Sequence, residues 1–328
     1  MAIYAKVSLM NAIEKRLEDV LTASALRQSM SYIADVLEGF EIKETYSEEQ
    51  MNEDLLEGYL SAMKVQGRSE KTIERYRYVI GKMAKSVGLP TRKVTVHHLR
   101  AYLAKEQERG LKDSTIEGLR QVFCAYFNWL QRESLIDKNP TANLGAIKCA
   151  KKKKQILSEV DLYKLKTNCK NSRDHAIVQF LASTGCRISE VTGLNREDIN
   201  FADMTCVVHG KGNKDRTAFF DNVTAVALQN YLDGRKDLNP ALFVNRYNVR
   251  LQNGGVREML VQLAKRAGVE QRVHPHKFRR TLATGLARHG MPVQEVSFIL
   301  GHEKIDTTMG YIVQNEEDVK SNYNKYAM

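Results

Sequence analysis

The sequence has few of the residues that mark secreted, metal-binding or membrane proteins. Its five cysteines are odd in number and widely scattered, and none forms a C-x-x-C pair, which argues against a disulfide framework and a zinc site. No run reaches the ~18 apolar residues of a spanning helix. Residues 1–21 carry Glu14, Glu18 and Asp19 where a signal peptide would be apolar. We therefore expect a cytoplasmic protein that is not bound to a membrane.

Proline is also scarce, with five in 328 residues, and one lysine run is the only biased tract, so any disorder should be confined to linkers. The sequence lacks the G-x-x-x-x-G-K-[ST] loop of nucleotide hydrolysis. It also lacks the clustered aspartates of a metal-dependent nuclease. We expect neither a cofactor nor a bound metal.

Negative charge is under-represented. The net charge is +11 and the isoelectric point is near 9.3, so the summed potential attracts polyanions, with nucleic acid as the first candidate. At roughly 150 residues per domain, the length suggests two domains.

Residues 1–45 are predicted to be helical, because apolar residues recur at spacings of three and four. Residues 1–44 carry five basic and seven acidic side chains, so they contribute −2 while the remainder of the chain carries +13. This balance disfavours a DNA-binding arm. We interpret the extension as an amphipathic helix pair that docks on protein, with a regulatory or oligomerisation role.

Residues 46–146 have an all-helical pattern, with helices predicted over 52–65, 69–87, 95–109 and 113–133. Ser69 is a suitable N-cap, and Gly88 followed by Pro90 gives a stop signal. The second and fourth helices carry basic residues that indicate either a solvated face or a nucleic-acid interface. These residues are Lys71, Arg75, Arg77, Lys82, Lys112 and Arg120.

Residues 147–157 are predicted to be a linker, because five lysines in seven positions repel one another. The linker is either a solubilising tether or a basic strap along a phosphate backbone. Residues 158–328 are mainly helical, with β-prone runs at 205–208 and 217–220 joined by a glycine-rich turn. The fold class predicted for the chain is therefore mainly α, with a small antiparallel sheet in the C-terminal domain.

Two segments of this domain place basic residues at turns. Arg187 follows Gly185 at the end of an apolar helix, where its guanidinium can either bind a phosphate or pair with Glu190. Lys211 and Lys214 lie on the turn of the hairpin, which either reaches a ligand or is an ordinary solvated turn.

Two further segments carry an imidazole and a phenol. If Pro275 begins a helix, His276 and Arg279 project from one face, and the small and apolar stretch 281–286 would bury that helix. His302 follows Gly301, and Thr307-Thr308 can start a turn that bears Tyr311. A lone tyrosine near a C-terminus is usually a packing residue.

Taken together and in order, these segments resemble the tyrosine recombinase, or phage integrase, family. The matching motifs are T-G-x-R-x-S-E-V-x-x-L-x-x-x-D-I, G-K-G-N-K-D-R, H-x-F-R and L-G-H followed by T-T-x-x-Y. The resemblance spans roughly residues 50 to 328 and leaves the N-terminal extension unexplained. Arg280 and Phe278 depart from the family's usual histidine and leucine.

The resemblance implies a site-specific recombinase, an integrase that cuts and rejoins DNA through a 3′-phosphotyrosine without metal or ATP. Tyr311 would be the nucleophile, and Glu190 would support the site. Negative charge on the phosphate would be stabilised by Arg187, Arg279 and His302. His276 would accept or orient the phenol proton, and Lys211, preferred over Lys214, would protonate the leaving 5′ oxygen.

The resemblance also implies a clamp on duplex DNA, formed by a helical core-binding domain and the catalytic domain. DNA contacts would come from Lys71, Thr72, Arg75 and Lys112, from the linker lysines Lys151, Lys152, Lys153 and Lys154, and from Lys214. The C-terminal tail of each protomer would dock on its neighbour in a homo-tetramer on paired sites. Accessory or regulatory proteins, the target sequence and the biological outcome stay open.

Three alternatives remain at this point. The chain could be a catalytically idle DNA-binding architectural protein that kept the fold. It could be a type IB topoisomerase, which shares the chemistry but relaxes DNA without sequence choice. A metal-dependent nuclease is the third, and no acidic cluster supports it.

Overall fold

The computed structural model describes residues 2–18, 20–40, 48–150, 155–209, 215–301 and 305–312, with residue 320 and residues 323–324. The chain divides into two compact units, Met1–Lys151 and Lys152–Met328. Within the described ranges, every helix is too short or too polar to cross a membrane.

The first unit is entirely helical in its described part. Its helices are α1 (Ala2–Leu17), α2 (Ala23–Glu38), α3 (Glu48–Val65), α4 (Glu70–Val87), α5 (Val96–Glu108) and α6 (Asp113–Arg132). The predicted helices of this unit are therefore confirmed to within a few residues at each end. The helical prediction for residues 41–45 lies outside the described residues.

Helices α1 and α2 pack against each other, and no residue of α2 is buried. Thr22 begins α2, and its hydroxyl accepts a bond from the amide of Ala25. Tyr32, Val36 and Phe40 are each about two-thirds exposed. The hairpin thus carries an apolar stripe on its outer side.

Helices α3 to α6 enclose the core of the first unit. Leu99, Phe123, Phe127 and Leu130 are completely buried there, because each lies on the inward stripe of its helix. Gly88 ends α4 in the left-handed conformation, as its position before Pro90 predicts.

The second unit is mainly helical with one small sheet, so the predicted fold class is confirmed. Its helices are α7 (Glu159–Thr167), α8 (Ser172–Thr184), α9 (Ile188–Gly193), α10 (Asn222–Asp233), α11 (Asn253–Arg266), α12 (Pro275–Arg288), α13 (Val293–Leu300) and α14 (Ile305–Met309).

Three antiparallel strands form the sheet, in the order β1 (Ile199–Asn200), β2 (Thr205–His209) and β3 (Asp215–Phe219). Cys206 pairs with Ala218 and Val208 with Arg216, which confirms the predicted hairpin. Along β3 the side chains of Arg216 and Ala218 point to the inner face, whereas those of Asp215, Thr217 and Phe219 are exposed.

Helix α8 lies at the centre of the second unit and packs against α10 and α12. It is apolar around most of its circumference, and Ile177, Val178 and Phe180 are fully buried, as expected for a central helix. Three helix ends matter for the site. Helix α8 ends at Gly185, α12 begins at Pro275, and α13 ends at Gly301.

Candidate active site

Arg187 lies in a sharp turn between two helices. Gly185 ends α8 with a φ of 58°, and a Cβ at this position would contact the side chains of Leu282 and Leu300 and approach the backbone of Arg279. Glycine is therefore required both for the left-handed turn and for close packing. The chain then starts α9 with Arg187 as its N-cap.

Glu190 is the carboxylate partner of Arg187. It is 4% exposed, its Oε1 accepts a 2.7 Å bond from Nη1 of Arg187, and its Oε2 accepts one of the same length from the Arg187 amide. The salt bridge between Arg187 and Glu190 is thus present, and it leaves 38% of the Arg187 side chain exposed. The two interpretations of Arg187 are compatible, because the carboxylate can hold a guanidinium that still faces solvent.

Arg279 is the most deeply buried charge of the site, with no exposed surface. Its Nη1 donates a 2.9 Å bond to the carbonyl of Gly185, and its Nη2 donates to the carbonyl of Leu300. Burial, reinforced by the nearby charge of Arg187, lowers the pKa of Arg279 to about 10. The side chain remains a cation at neutral pH.

His276 and Tyr311 face each other across the site. The predicted helix start at Pro275 is confirmed, and it places His276 one turn before Arg279, partly exposed and partly covered by the surrounding protein. The phenol oxygen of Tyr311 lies 3.4 Å from Nδ1 of His276, and the Tyr311 ring centroid lies 5.8 Å from the Arg279 guanidinium. The described structure therefore brings Arg187, Glu190, His276, Arg279 and Tyr311 together.

Tyr311 lies in a turn, as predicted, and this turn follows α14, which begins at Ile305, before the Thr307-Thr308 pair. Its amide donates a 2.8 Å bond to the carbonyl of Thr308, and its half-buried ring packs on a small apolar cluster that includes Ala283, Val296 and Leu300. The phenol is therefore supported by packing while its oxygen faces the basic residues.

Three consecutive carbonyls at the end of α13 each accept a bond from a different arginine. The carbonyl of Ile299 accepts from Nη1 of Arg216 at 2.7 Å, that of Leu300 from Arg279, and that of Gly301 from Nη2 of Arg187 at 3.3 Å. The last carbonyls of a helix have no partner inside it and carry the negative end of its dipole. The end of α13 thus anchors all three guanidiniums.

Arg216 was not predicted as a site residue. Its side chain is 14% exposed and donates a 2.9 Å bond from Nη2 to Glu190. A signal was present in the sequence, because Arg216 is the last residue of the motif G-K-G-N-K-D-R, but the predicted strand began only at residue 217. Its partner could not be identified without the fold.

Several predicted residues lie outside the described ones. They are Lys211 and Lys214 on the hairpin turn, His302 after α13, and the linker lysines Lys151, Lys152, Lys153 and Lys154. The residues on both sides of each gap are described. His209 pairs with Asp215 at the base of the hairpin turn, and Gly301 ends α13 directly before His302.

The predicted DNA contacts of the first unit fall on α4 and α6. Lys71 and Arg75 are exposed on α4, Thr72 is half-buried and bonded to Ser69, and Lys112 is the N-cap of α6. The Arg75 guanidinium lies over Gly118 of α6, 3.2 Å from where a Cβ would be.

Of the six basic residues predicted for this face, the other three are paired within the unit. Arg77 pairs with Glu57, Lys82 with Glu106, and Arg120 with Glu117. In contrast, Lys71, Arg75 and Lys112 have no carboxylate within 4 Å among the described residues. Three of the six basic side chains are therefore available to an outside anion.

Comparisons with known proteins agree with the geometry. A model of the phage integrase family matches residues 150–318, and a model of the phage integrase N-terminal SAM-like domain matches residues 55–137. The chain is 31% identical over 245 residues to tyrosine recombinase XerC of Oceanobacillus iheyensis, covering 71% of this chain and 80% of the relative. It is 30% identical over 270 residues to tyrosine recombinase XerA of Pyrococcus horikoshii, covering 80% and 90%.

Among solved structures, the fold resembles that of the Tn1549 transposon integrase in complex with a circular intermediate DNA. The TM-score is 0.66 at 18% identity, and the match covers 83% of this chain and 99% of the other. With a family model over more than half of its length and relatives at this identity, the chain belongs to the phage integrase family of tyrosine recombinases, and it is a site-specific DNA recombinase.

Proposed function

We propose that this recombinase cleaves duplex DNA by attack of the Tyr311 phenol on a backbone phosphate, which gives a 3′-phosphotyrosine and a free 5′ hydroxyl. The observation that carries the proposal is the position of Tyr311, whose phenol oxygen lies 3.4 Å from His276 and whose ring lies over Arg279. A second DNA strand then attacks the phosphotyrosine and restores a phosphodiester.

The proposed chemistry needs positive charge around the phosphate. Attack builds negative charge on the non-bridging oxygens, and preorganised cations stabilise it. Arg187 and Arg279 meet this need because Glu190 and the carbonyls of Gly185 and Leu300 already fix their guanidiniums. By the family resemblance, His302 joins them.

His276 is proposed to take the phenol proton. Burial, together with the charges of Arg279 and Arg187, lowers the pKa of His276, so its imidazole is neutral at pH 7 and can accept a hydrogen bond. Lys211, by resemblance, donates the proton that the departing 5′ oxygen needs. Each step is then balanced, because one proton leaves the nucleophile and another reaches the leaving group.

Arg279 can bind the phosphate only after a local movement. Its side chain is completely buried and the Tyr311 ring lies over it. The proposal therefore requires that the segment bearing Tyr311 shifts when DNA enters the site.

DNA is the proposed partner of both units. Lys71, Thr72, Arg75 and Lys112 are proposed to contact it from the first unit, and the lysines of the linker and Lys214 to contact its phosphates. A homo-tetramer on paired sites is proposed from the family resemblance. The α1–α2 hairpin is proposed to serve oligomerisation or regulation, since it carries an exposed apolar stripe and net negative charge.

The test uses a duplex with a nick close to the cleavage point, so that the short 5′ product diffuses away and the covalent adduct accumulates. The full chain should form a DNA adduct that resists denaturation in the absence of divalent cations, and Tyr311→Phe should form none. Because the target is unidentified, the duplex is taken from genomic fragments that the wild-type protein captures covalently. An idle DNA-binding protein would capture none, and a topoisomerase would relax random plasmid without paired sites.

A further inference from the structure

Arg216 joins the three parts of the second unit that surround the site but has no role in the proposed chemistry. It lies on β3, directly after the hairpin turn. Its Nη1 donates to the carbonyl of Ile299 on α13, and its Nη2 donates to Glu190 on α9. A sheet strand and two helices are therefore tied together through one side chain.

Direct contact between Arg216 and a phosphate is disfavoured by its surroundings. The side chain is only 14% exposed, and both terminal nitrogens have protein acceptors at 2.7 and 2.9 Å. Nη2 also lies 3.6 Å from the Sγ of Cys186. Arg187 differs, because 38% of its side chain remains exposed. Arg279 is even more deeply buried than Arg216, but the Tyr311 ring lies over it, and the proposed function already requires the segment bearing that ring to shift when DNA enters.

The carboxylate that Arg216 binds is the one that orients Arg187. Glu190 uses Oε2 for Arg216 and for the amide of Arg187, and it uses Oε1 for the guanidinium of Arg187. Burial opposes the ionisation of Glu190, and Arg216 makes the largest opposing contribution, which keeps the pKa of Glu190 below its usual value. A neutral Glu190 would lose its charge-assisted bond to Arg187.

Gly301 permits this arrangement. A Cβ at Gly301 would overlap Cδ of Arg216 and come within 2.7 Å of its Nε, so the side chain passes where only a glycine leaves room. The carbonyl of Gly301 also accepts the bond from Arg187. Arg216 and Arg187 therefore both contact Gly301 at the end of α13.

We propose that Arg216 is a positioning residue of the recombinase, which holds Glu190 against the end of α13 and thereby fixes the Arg187 guanidinium where the phosphate binds. This inference rests on the proposed function for its catalytic consequence. Its geometric content, the dependence of Arg187 on Arg216, is independent of that function.

The test compares Arg216→Gln, Arg216→Lys and a matched control, Arg235→Gln. Arg235 is 4% exposed and also joins a carboxylate, that of Asp237, to backbone carbonyls, those of Ala241 and Leu242, but none of these groups belongs to the site. Single-turnover cleavage of the nicked duplex is measured beside DNA affinity and melting temperature. A second duplex carries sulfur in place of the leaving 5′ oxygen, because a thiolate departs without a proton donor.

Arg216→Gln should slow cleavage about 100-fold, the order of loss that follows when a catalytic group is misplaced by about 1 Å. DNA affinity should stay within about twofold, because Arg216 is not a phosphate ligand. The sulfur duplex should not restore the rate, because the defect lies at Arg187 and not at the leaving group. Arg216→Lys keeps the charge but lacks the planar guanidinium, so its cleavage rate should lie between those of the wild type and Arg216→Gln. Arg235→Gln should cleave at the wild-type rate even if its melting temperature falls as much as that of Arg216→Gln.

The inference is overturned if Arg216→Gln cleaves at the wild-type rate, if sulfur restores its rate, or if Arg235→Gln loses as much. If Arg216→Gln does not fold, the same criteria apply to Arg216→Lys. A readout without catalysis separates this inference from the proposed function. In ¹⁵N-labelled full-length protein, the Arg187 Nε–Hε signal, assigned by Arg187→Lys, should move in the Arg216 variants and not in Arg235→Gln. An unmoved signal would also overturn it.

Discussion

At the scale of single residues, Glu190 has the most consequences. It is a buried carboxylate that accepts bonds from two guanidiniums and one amide. Burial raises the cost of its negative charge, but Arg216 and Arg187 outweigh that cost and lower its pKa. Because the folded-state pKa lies below the unfolded one, the stabilisation is present above the unfolded value. It is lost as the pH falls through the folded value.

We therefore predict that Glu190→Gln destabilises the protein by about 3 kcal/mol at pH 7, since it leaves the mostly buried Arg216 and the partly exposed Arg187 without their counter-charge. Urea unfolding of the variant and the wild type measures the difference. The difference should shrink as the pH falls below the usual glutamate pKa, because the unfolded chain then takes up a proton that the folded carboxylate resists. A gap that stays constant down to pH 2.5 would contradict the assignment of the stabilisation to this charge.

His276 gives a prediction for the pH dependence of cleavage. Burial and four neighbouring arginines, of which Arg279 has the largest effect, lower the pKa of His276. We expect the single-turnover rate to be constant at neutral pH and to fall only below the usual histidine range, because the protonated imidazole cannot accept from Tyr311. His276→Asn should be slower and should lack this acid limb. If the limb persists in His276→Asn, another group is responsible for it.

The residues of the site could be predicted from the sequence more completely than their contacts. Arg187, His276, Arg279 and Tyr311 occur in short motifs whose residue types and spacing predict them as site residues, and the structure places them close together. Arg216 escaped notice because its importance comes from partners 26 and 83 residues away in the chain. Pairings at such separations are set by tertiary packing, which local patterns do not encode.

At the scale of secondary-structure elements, the C-terminal ends of α8 and α13 define the site. Each ends in a left-handed glycine, Gly185 or Gly301, and the carbonyls at both ends accept bonds from arginines. The terminal carbonyls of these helices therefore hold the cations to which we assign a catalytic role.

Gly301 and Gly268 form a matched pair for testing this view. Both have a φ of 63°, but a Cβ at Gly268 would meet nothing within 4 Å, whereas one at Gly301 would overlap Arg216. Gly268→Ala should cost about 1 kcal/mol from backbone strain alone. Gly301→Ala should cost about 3 kcal/mol and also slow cleavage, because it displaces Arg216 from its buried partners. Equal stabilities and equal cleavage rates for the two variants would show that the space beside Gly301 is unimportant.

The helices were predictable because their apolar periodicity and cap residues are local signals. Ser69, Gly88 and Pro275 each end or begin a helix where the sequence suggests. The position of Tyr311 was less predictable. Its turn depends on packing against Ala283, Val296 and Leu300, which lie on two other helices.

At the scale of the whole molecule, charge is distributed unevenly. The first 44 residues carry −2 and the remaining 284 carry +13. Each phosphate that a basic side chain neutralises releases counterions, so the number of contacts appears in the salt dependence of binding.

We predict that Lys71→Ala and Lys112→Ala each reduce the slope of log K against log salt concentration by about 1. Lys82→Ala should leave the slope unchanged, because Lys82 is bonded to Glu106 at 2.6 Å. Fluorescence anisotropy of a labelled duplex at several salt concentrations gives the slopes. The proposed interface is wrong if Lys82→Ala changes the slope as much as the other two variants.

Removal of residues 1–44 provides a prediction for the N-terminal extension. The truncated chain should bind a single duplex with unchanged salt dependence, because the segment is acidic, but it should assemble or respond to regulation differently. Sedimentation on paired sites measures the assembly. Unchanged assembly and regulation combined with weaker, salt-dependent DNA binding would contradict the proposal.

The position of the Tyr311 ring over the buried Arg279 has a further consequence. Tyr311, the proposed nucleophile, also covers Arg279, the cation proposed to bind the phosphate. A small anion in solution therefore has no access to Arg279. Only a ligand that also binds elsewhere on the chain can supply the free energy needed to displace the Tyr311 ring. We therefore expect free orthophosphate at millimolar concentration to leave cleavage of a bound duplex almost uninhibited. Orthophosphate is too small to bind other parts of the chain at the same time, whereas duplex DNA makes such contacts and can displace the ring.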